Sequence, residues 1–184
     1  MKTKMENRNE FATLLKEMGL TGVAAEVGVA EGYFSFYLLD RWPGICYQID
    51  PWAVLNEPGY SLHGEVDQEA RYQRIMAKAA RYGGRAIPKR ATSLSAVYDF
   101  TDGFFDFVYI DANHTLLSAR DDIRAWYSKV KVGGVLAGHD YLDGIYNGDE
   151  YGVKTAVTEL SQRTGLQVNT TLETDWPSWW VVKK

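Results

Sequence analysis

Apolar residues fall in two rhythms along this chain. Phe11, Leu14, Leu15 and Met18 recur at i, i+3, i+4 and i+7, which predicts an amphipathic helix ended by Gly19 and Gly22. Continuous apolar runs follow instead at Val23–Val27, Ile45–Ile49 and Asp106–Ile110, the pattern of strands buried on both faces. A weaker strand is expected over Arg85–Lys89, where Pro88 removes a ladder donor, and another over Val135–Ala137 after a turn at Gly133-Gly134. Helical spacing fills the gaps: from Tyr33, over Val66–Tyr82 with a stop at Gly83-Gly84, over Leu116–Val130, and around Val153–Leu160 with a stop at Gly165. Two strands, Leu166–Thr171 and Trp179–Val182, come last. Strands alternating with helices imply parallel βαβ units with helices on both faces, and two consecutive strands imply an antiparallel edge. The expectation is a doubly wound α/β fold, residues 1–184 forming one domain with residues 1–22 as a helical N-terminal extension.

Bulk properties narrow the possible partners. A net charge of −4 without a Lys/Arg block argues against nucleic acid. No apolar run is long enough to span a membrane, and Met1–Glu10 is charged where a secretory leader would be apolar. A single cysteine, Cys46, fits a reducing, cytoplasmic setting.

The stretch with the most chemistry is Ala24–Gly32, A-A-E-V-G-V-A-E-G, on a predicted strand-to-helix turn. Glycine there lets a ligand approach the backbone closely. A dinucleotide site wants G-x-G-x-x-G, but this turn reads Gly28-x-x-x-Gly32 with Glu26 upstream. A carboxylate at that point repels a pyrophosphate and suits an ammonium group. Asp50, ending the second strand 22 residues after Gly28, can accept hydrogen bonds from ribose hydroxyls. A nucleoside carrying a charged amino acid meets both demands: S-adenosylmethionine (SAM).

On Glu26, Gly28, Gly32 and Asp50 the chain resembles the class I SAM-dependent methyltransferases, whose first motif reads roughly E-x-G-x-G-x-G; Ala30 stands at the middle glycine. The resemblance implies a Rossmann-like, seven-stranded, mostly parallel sheet with a reversed edge strand. It also places adenine near Thr92 and Ser93, where a helix cap is the alternative role.

Ligands of open α/β sheets sit beyond the carboxyl ends of the strands. There the chain reads D-A-N-H (Asp111–His114) and G-H-D-Y (Gly138–Tyr141). Asp111 and Asp140 should converge, and two carboxylates packed together call for a cation or a shared proton. His114, three residues after Asp111, can take a proton from a hydroxyl at neutral pH. Asp111 as a cap of the following helix, and His114 as a structural residue, are the plainer alternatives. This arrangement resembles the metal-dependent macrocin O-methyltransferase type, which acts on sugars and related natural products. The resemblance implies Asp111 and Asp140 as ligands of a divalent metal and His114 as the base. It puts Asp111 beside SAM as well, and His139 at the second acid's position; imidazole is a poor partner for Mg²⁺, so either the ion is a softer one or the site binds Mg²⁺ weakly.

The expected activity is methyl transfer from SAM to a hydroxyl of a small molecule. A SAM-binding protein without catalysis and a nicotinamide-dependent oxidoreductase are the rivals. Pro51–Glu65, with Trp52 and Tyr60, is expected to be a lid, and so small a chain could use a second copy's loop to close its pocket. His63 and the Asp121-Asp122 pair are expected to be solvated. Trp176, Trp179 and Trp180 are expected to pack the terminal hairpin, with a substrate platform as the alternative.

Overall fold

A computed structural model describes residues 4–55 and 67–184. Its elements run α1 (Phe11–Glu17), β1 (Val23–Val27), α2 (Tyr33–Arg41), β2 (Ile45–Asp50), α3 (Gln68–Ala79), β3 (Ala86–Arg90), α4 (Ser93–Ala96), β4 (Phe105–Ile110), α5 (Leu116–Lys129) and β5 (Val130–Gly138). A hairpin of β6 (Asp143–Tyr146) and β7 (Asp149–Gly152) follows, then α6 (Val153–Thr164), β8 (Asn169–Thr170) and β9 (Trp179–Val182).

Seven strands form one sheet in the order β3-β2-β1-β4-β5-β9-β8. The first five neighbours are parallel, and β9 runs against both β5 and β8. This is the expected mostly parallel sheet with a reversed strand near one edge. Side chains alternate between two cores. Ala24, Cys46, Phe107, Tyr109 and Trp180 pack with α1, α2 and α3, while Ala25, Ile49, Val108, Ile110 and Trp179 pack with α4, α5 and α6. Burial on both faces is why the strands read as unbroken apolar runs.

Three local differences from the sequence expectation have physical causes. Strand β5 begins at Val130, so Gly133-Gly134 lies inside it; a Cβ on Gly134 would stand 2.8 Å from the Asp106 carbonyl oxygen, so the glycine lets β4 and β5 approach where their register shifts. The β6–β7 hairpin is additional, and it turns at Asn147-Gly148 with φ of 54° and 90°, the two left-handed positions of a type I′ turn. Finally, β8 keeps only two residues of the expected strand, although Leu166 remains buried. No helix among the described residues is long and apolar enough to cross a membrane.

Candidate active site

The carboxyl ends of β1, β2, β4 and β5 meet along one edge of the sheet. Gly28 crosses directly over the β4 end, with φ of +85°, and a Cβ there would stand 2.0 Å from the Asp111 carbonyl oxygen. Any side chain would break this crossing, which explains the glycine. Gly32, at φ +70°, caps the start of α2. Ala30 also adopts a left-handed φ of 48°, the conformation a glycine would hold at lower cost.

Asp50 organises this turn. Its Oδ2 accepts from the backbone N–H groups of Val29 and Ala30 at 2.9 Å each, and its Oδ1 accepts from that of Trp52 at 2.6 Å. Three of the carboxylate's roughly four acceptor positions are therefore taken. A two-point grip on a ribose, as the sequence suggested, requires one of these N–H groups to let go. Trp52 itself is fully buried, its indole N–H on the Ala30 carbonyl at 3.1 Å and its ring 5.0 Å from that of Tyr72. The first residues of the expected lid thus anchor the glycine turn; Tyr60 and His63 lie outside the described residues. Asp50→Ala should cost the native state on the order of 2 kcal/mol by leaving buried N–H groups unpaired, lowering the melting temperature by roughly 4–8 °C. Weaker SAM binding with an unchanged melting temperature would instead place Asp50's whole role at the ligand.

Glu26 is 2% exposed and lies under the first turn of α2, where its Oε2 accepts from the Ser35 N–H at 3.2 Å. Ser35 Oγ in turn accepts from Gln48 Nε2 at 2.7 Å. Burial pushes the Glu26 carboxyl up to about 8, against the opposing hydrogen bonds from Ser35.

Across the cleft, Ile110 of β4 pairs with Gly138 of β5, so Asp111 and the His139-Asp140 pair emerge side by side. One ligating atom from each of Asp111, His139 and Asp140 lies within 4.8 Å of the others. His139 Nδ1 is 2.8 Å from Asp140 Oδ1 and 3.7 Å from Asp111 Oδ1. Burial works against charge on His139, but the Asp140 hydrogen bond and the charges of both acids raise its pKa. Burial likewise raises Asp111, opposed by His139 and Arg8. The helix α5 is capped by Thr115 and not by Asp111. Asp140 holds a left-handed φ of 53°, tolerable for an aspartate and costly for most other residues.

His114 is 8% exposed, and burial lowers its pKa, so its imidazole is neutral at pH 7. Its ring lies 3.8 Å from that of Tyr151, which the β7 strand carries, and Tyr151 continues to Trp176 at 5.0 Å and Tyr146 at 5.6 Å. Trp176 has a φ of +55°, a rare conformation for a bulky side chain. Of the three late tryptophans, Trp179 and Trp180 are core, whereas Trp176 joins this aromatic wall. His114, Tyr151, Asp140, Asp111, Glu26, Gly28 and Arg8 line a common cleft of about 280 Å³.

A second cavity, of about 200 Å³, opens past β3 between Leu55, Thr92, Leu94, Asn113 and Leu117. Thr92 occupies the N-cap position of α4, its hydroxyl on Ser95 Oγ at 2.9 Å. Ser93 Oγ donates to Asp122 and accepts from Trp126 Nε1 at 2.8 Å. Asp122 is therefore buried, contrary to the expected solvated pair.

Two contributors were missed from the sequence. Tyr151 and Tyr146 belong to a hairpin whose signal, Asn147-Gly148, was present but unread. Arg8 donates to Asp111 Oδ2 at 3.1 Å from an N-terminal segment that carries no local motif.

The sequence pattern of the methyltransferase-domain family matches residues 25–141, from β1 through the His139-Asp140 pair, and the chain belongs to that family. No curated protein matches it. Among solved structures, a putative caffeoyl-CoA O-methyltransferase from Staphylococcus aureus is similar with a TM-score of 0.69 at 15% identity, over 95% of this chain and 82% of that one. The O-methyltransferase TomG from Streptomyces achromogenes, involved in tomaymycin synthesis and solved with SAM, gives 0.65 at 13% identity over 96% and 79%. The 1,6-didemethyltoxoflavin-N1-methyltransferase of Burkholderia thailandensis, solved with S-adenosylhomocysteine, gives 0.61 at 12% over 97% and 79%. At these identities the shared property is the fold.

Proposed function

We propose that this protein transfers a methyl group from SAM to a hydroxyl of a small-molecule acceptor, in the manner of the macrocin O-methyltransferase type. The observation that carries the reading is one cleft bounded by the glycine turn with Glu26 on one side and by Asp111, His114 and Asp140 on the other, with His139 clustered against the two aspartates. Solved structures of the same fold contain SAM or S-adenosylhomocysteine, which supports the cofactor.

The methionyl ammonium of SAM would meet Glu26, the ribose would reach Asp50, and the adenine would enter the cavity beside Thr92, Leu94 and Leu117. The acceptor would lie against Tyr151 and Trp176 with its hydroxyl at His114. The acceptor oxygen attacks the sulfonium methyl in line, the carbon–sulfur bond breaks with its electron pair going to sulfur, and the hydroxyl proton passes to the neutral imidazole of His114. The donor set Asp111, His139 and Asp140, two carboxylates and an imidazole, fits a divalent ion, which when bound would lower the pKa of an acceptor hydroxyl.

The test is a mass-spectrometric screen of hydroxylated acceptors with SAM, in the presence of divalent metal or of a chelator. Gain of a methyl group on an acceptor hydroxyl supports the reading; SAM binding with no transfer to any acceptor favours a non-catalytic role.

A further inference from the structure

Arg8 stands out in the cleft because of its surroundings. The cleft is lined by four acids, Glu26, Glu31, Asp111 and Asp140, and among the described residues that line it Arg8 is its one Lys or Arg. A ligand with a sulfonium and an ammonium suits those acids. SAM also carries a carboxylate, and that group needs a donor-rich, positively charged partner in the same place.

The segment carrying Arg8 is fixed to the fold on both sides. Met5 is fully buried in the core, pairs as a bridge with Thr171 and accepts the Leu172 N–H at 2.9 Å. Asn7 caps the following 3₁₀ turn through the Asn9 N–H at 3.0 Å, and α1 packs Phe11 against Phe34 and Tyr109 directly afterwards. This anchoring brings the guanidinium across the end of β4, beside Asp111, Tyr109 and Glu26. It donates to Asp111, also bonds the Tyr109 hydroxyl, and is 30% exposed on its side chain, so part of its five-donor fork can face the cleft. A guanidinium matches a carboxylate in two-point geometry, unlike a lysine ammonium.

Resting on the SAM reading above, we infer that Arg8 is the anchor for the cofactor's carboxylate, so that the N-terminal segment is part of the cofactor site. Glu26 and Arg8 then hold the two charged groups of the methionyl end.

Calorimetry with SAM and with decarboxylated SAM, which lacks only the carboxylate, tests the assignment. In the wild type, decarboxylated SAM should bind at least tenfold more weakly than SAM. Arg8→Gln should weaken SAM by roughly 10–100-fold, the worth of a charge-assisted hydrogen bond, while changing decarboxylated SAM less than threefold. Arg8→Lys should recover part of the loss. Should Arg8→Gln fail to fold, Arg8→Lys replaces it in the same comparison of the two cofactors. Equal affinity of the wild type for both, or equal losses for both in Arg8→Gln, would overturn the anchor and leave the cofactor reading intact. A wild type that binds neither removes that reading, and the anchor with it.

Discussion

His114→Ala should lose roughly 10²–10⁴-fold in turnover and leave S-adenosylhomocysteine affinity within a few-fold of the wild type. That loss is the usual worth of a positioned base, and the proposed cofactor contacts, Glu26, Gly28 and Asp50, lie elsewhere. Because burial lowers the His114 pKa, the imidazole is already the free base at neutral pH, and the acid limb of the activity profile should lie below pH 6.5. Asp140→Asn should fail differently. It keeps a side chain that tolerates the left-handed backbone at φ 53° but removes one carboxylate from the Asp111, His139 and Asp140 set. Divalent-ion affinity should fall while cofactor binding persists, and wild-type activity should fall in excess chelator and return with added metal. Full activity in chelator would reduce the three residues to polar positioning groups. Equal loss of cofactor binding in both variants would mean that the His114 loop and the Asp140 turn are structural.

Glu26→Gln should make the cofactor-free protein more stable and the cofactor bind more weakly. The folded pKa of about 8 lies above the ordinary 4.5, so the native state holds this proton more tightly than the unfolded chain does. The stability contribution of the group is therefore complete below about pH 4.5 and declines as pH rises towards 8, at about 1.4 kcal/mol per pH unit within that window. Glutamine has no such slope, so urea melts of wild type and variant should diverge between pH 5.5 and 7.5, in the variant's favour. The same carboxyl must ionise to meet an ammonium. Calorimetry at pH 7 in buffers of different ionisation enthalpy should find close to one proton released per SAM in the wild type and none from this group in the variant. Weakening of SAM by roughly 10–100-fold is expected from the lost charge-assisted contact. Parallel melts and an unchanged proton count would assign Glu26 only to capping α2.

Much of this was readable because the sheet is buried on both faces. Val23–Val27, Ile45–Ile49 and Asp106–Ile110 could be little else than inner strands, and once β4 and β5 are neighbours, Asp111 and Asp140 must meet. The glycine at position 28 was legible for the same reason, since the β1 and β4 ends have to cross there. What the local pattern did not carry was set by distant partners. The hold of Asp50 on the Val29 and Ala30 N–H groups, 21 and 20 residues away, leaves no mark in its own neighbourhood. Arg8 sits in an unremarkable charged run and reaches the cleft only because Met5 bonds to the strand-like segment near the far end of the chain. Asp122 looked solvated on its helix, yet Ser93, from a separate element, covers it. Gly133-Gly134 has the local signature of a turn, because its role in letting β4 and β5 approach is invisible without the neighbouring strand.

The central claim is that this cleft holds SAM by its methionyl and adenosyl ends. Its most direct test is the structure of the protein crystallised with S-adenosylhomocysteine. The account predicts the homocysteine ammonium against Glu26, the sugar beside Asp50, and the adenine between Leu94 and Leu117 next to Thr92. A cofactor bound elsewhere, or no binding of S-adenosylhomocysteine by a protein that does bind NADH, would contradict it.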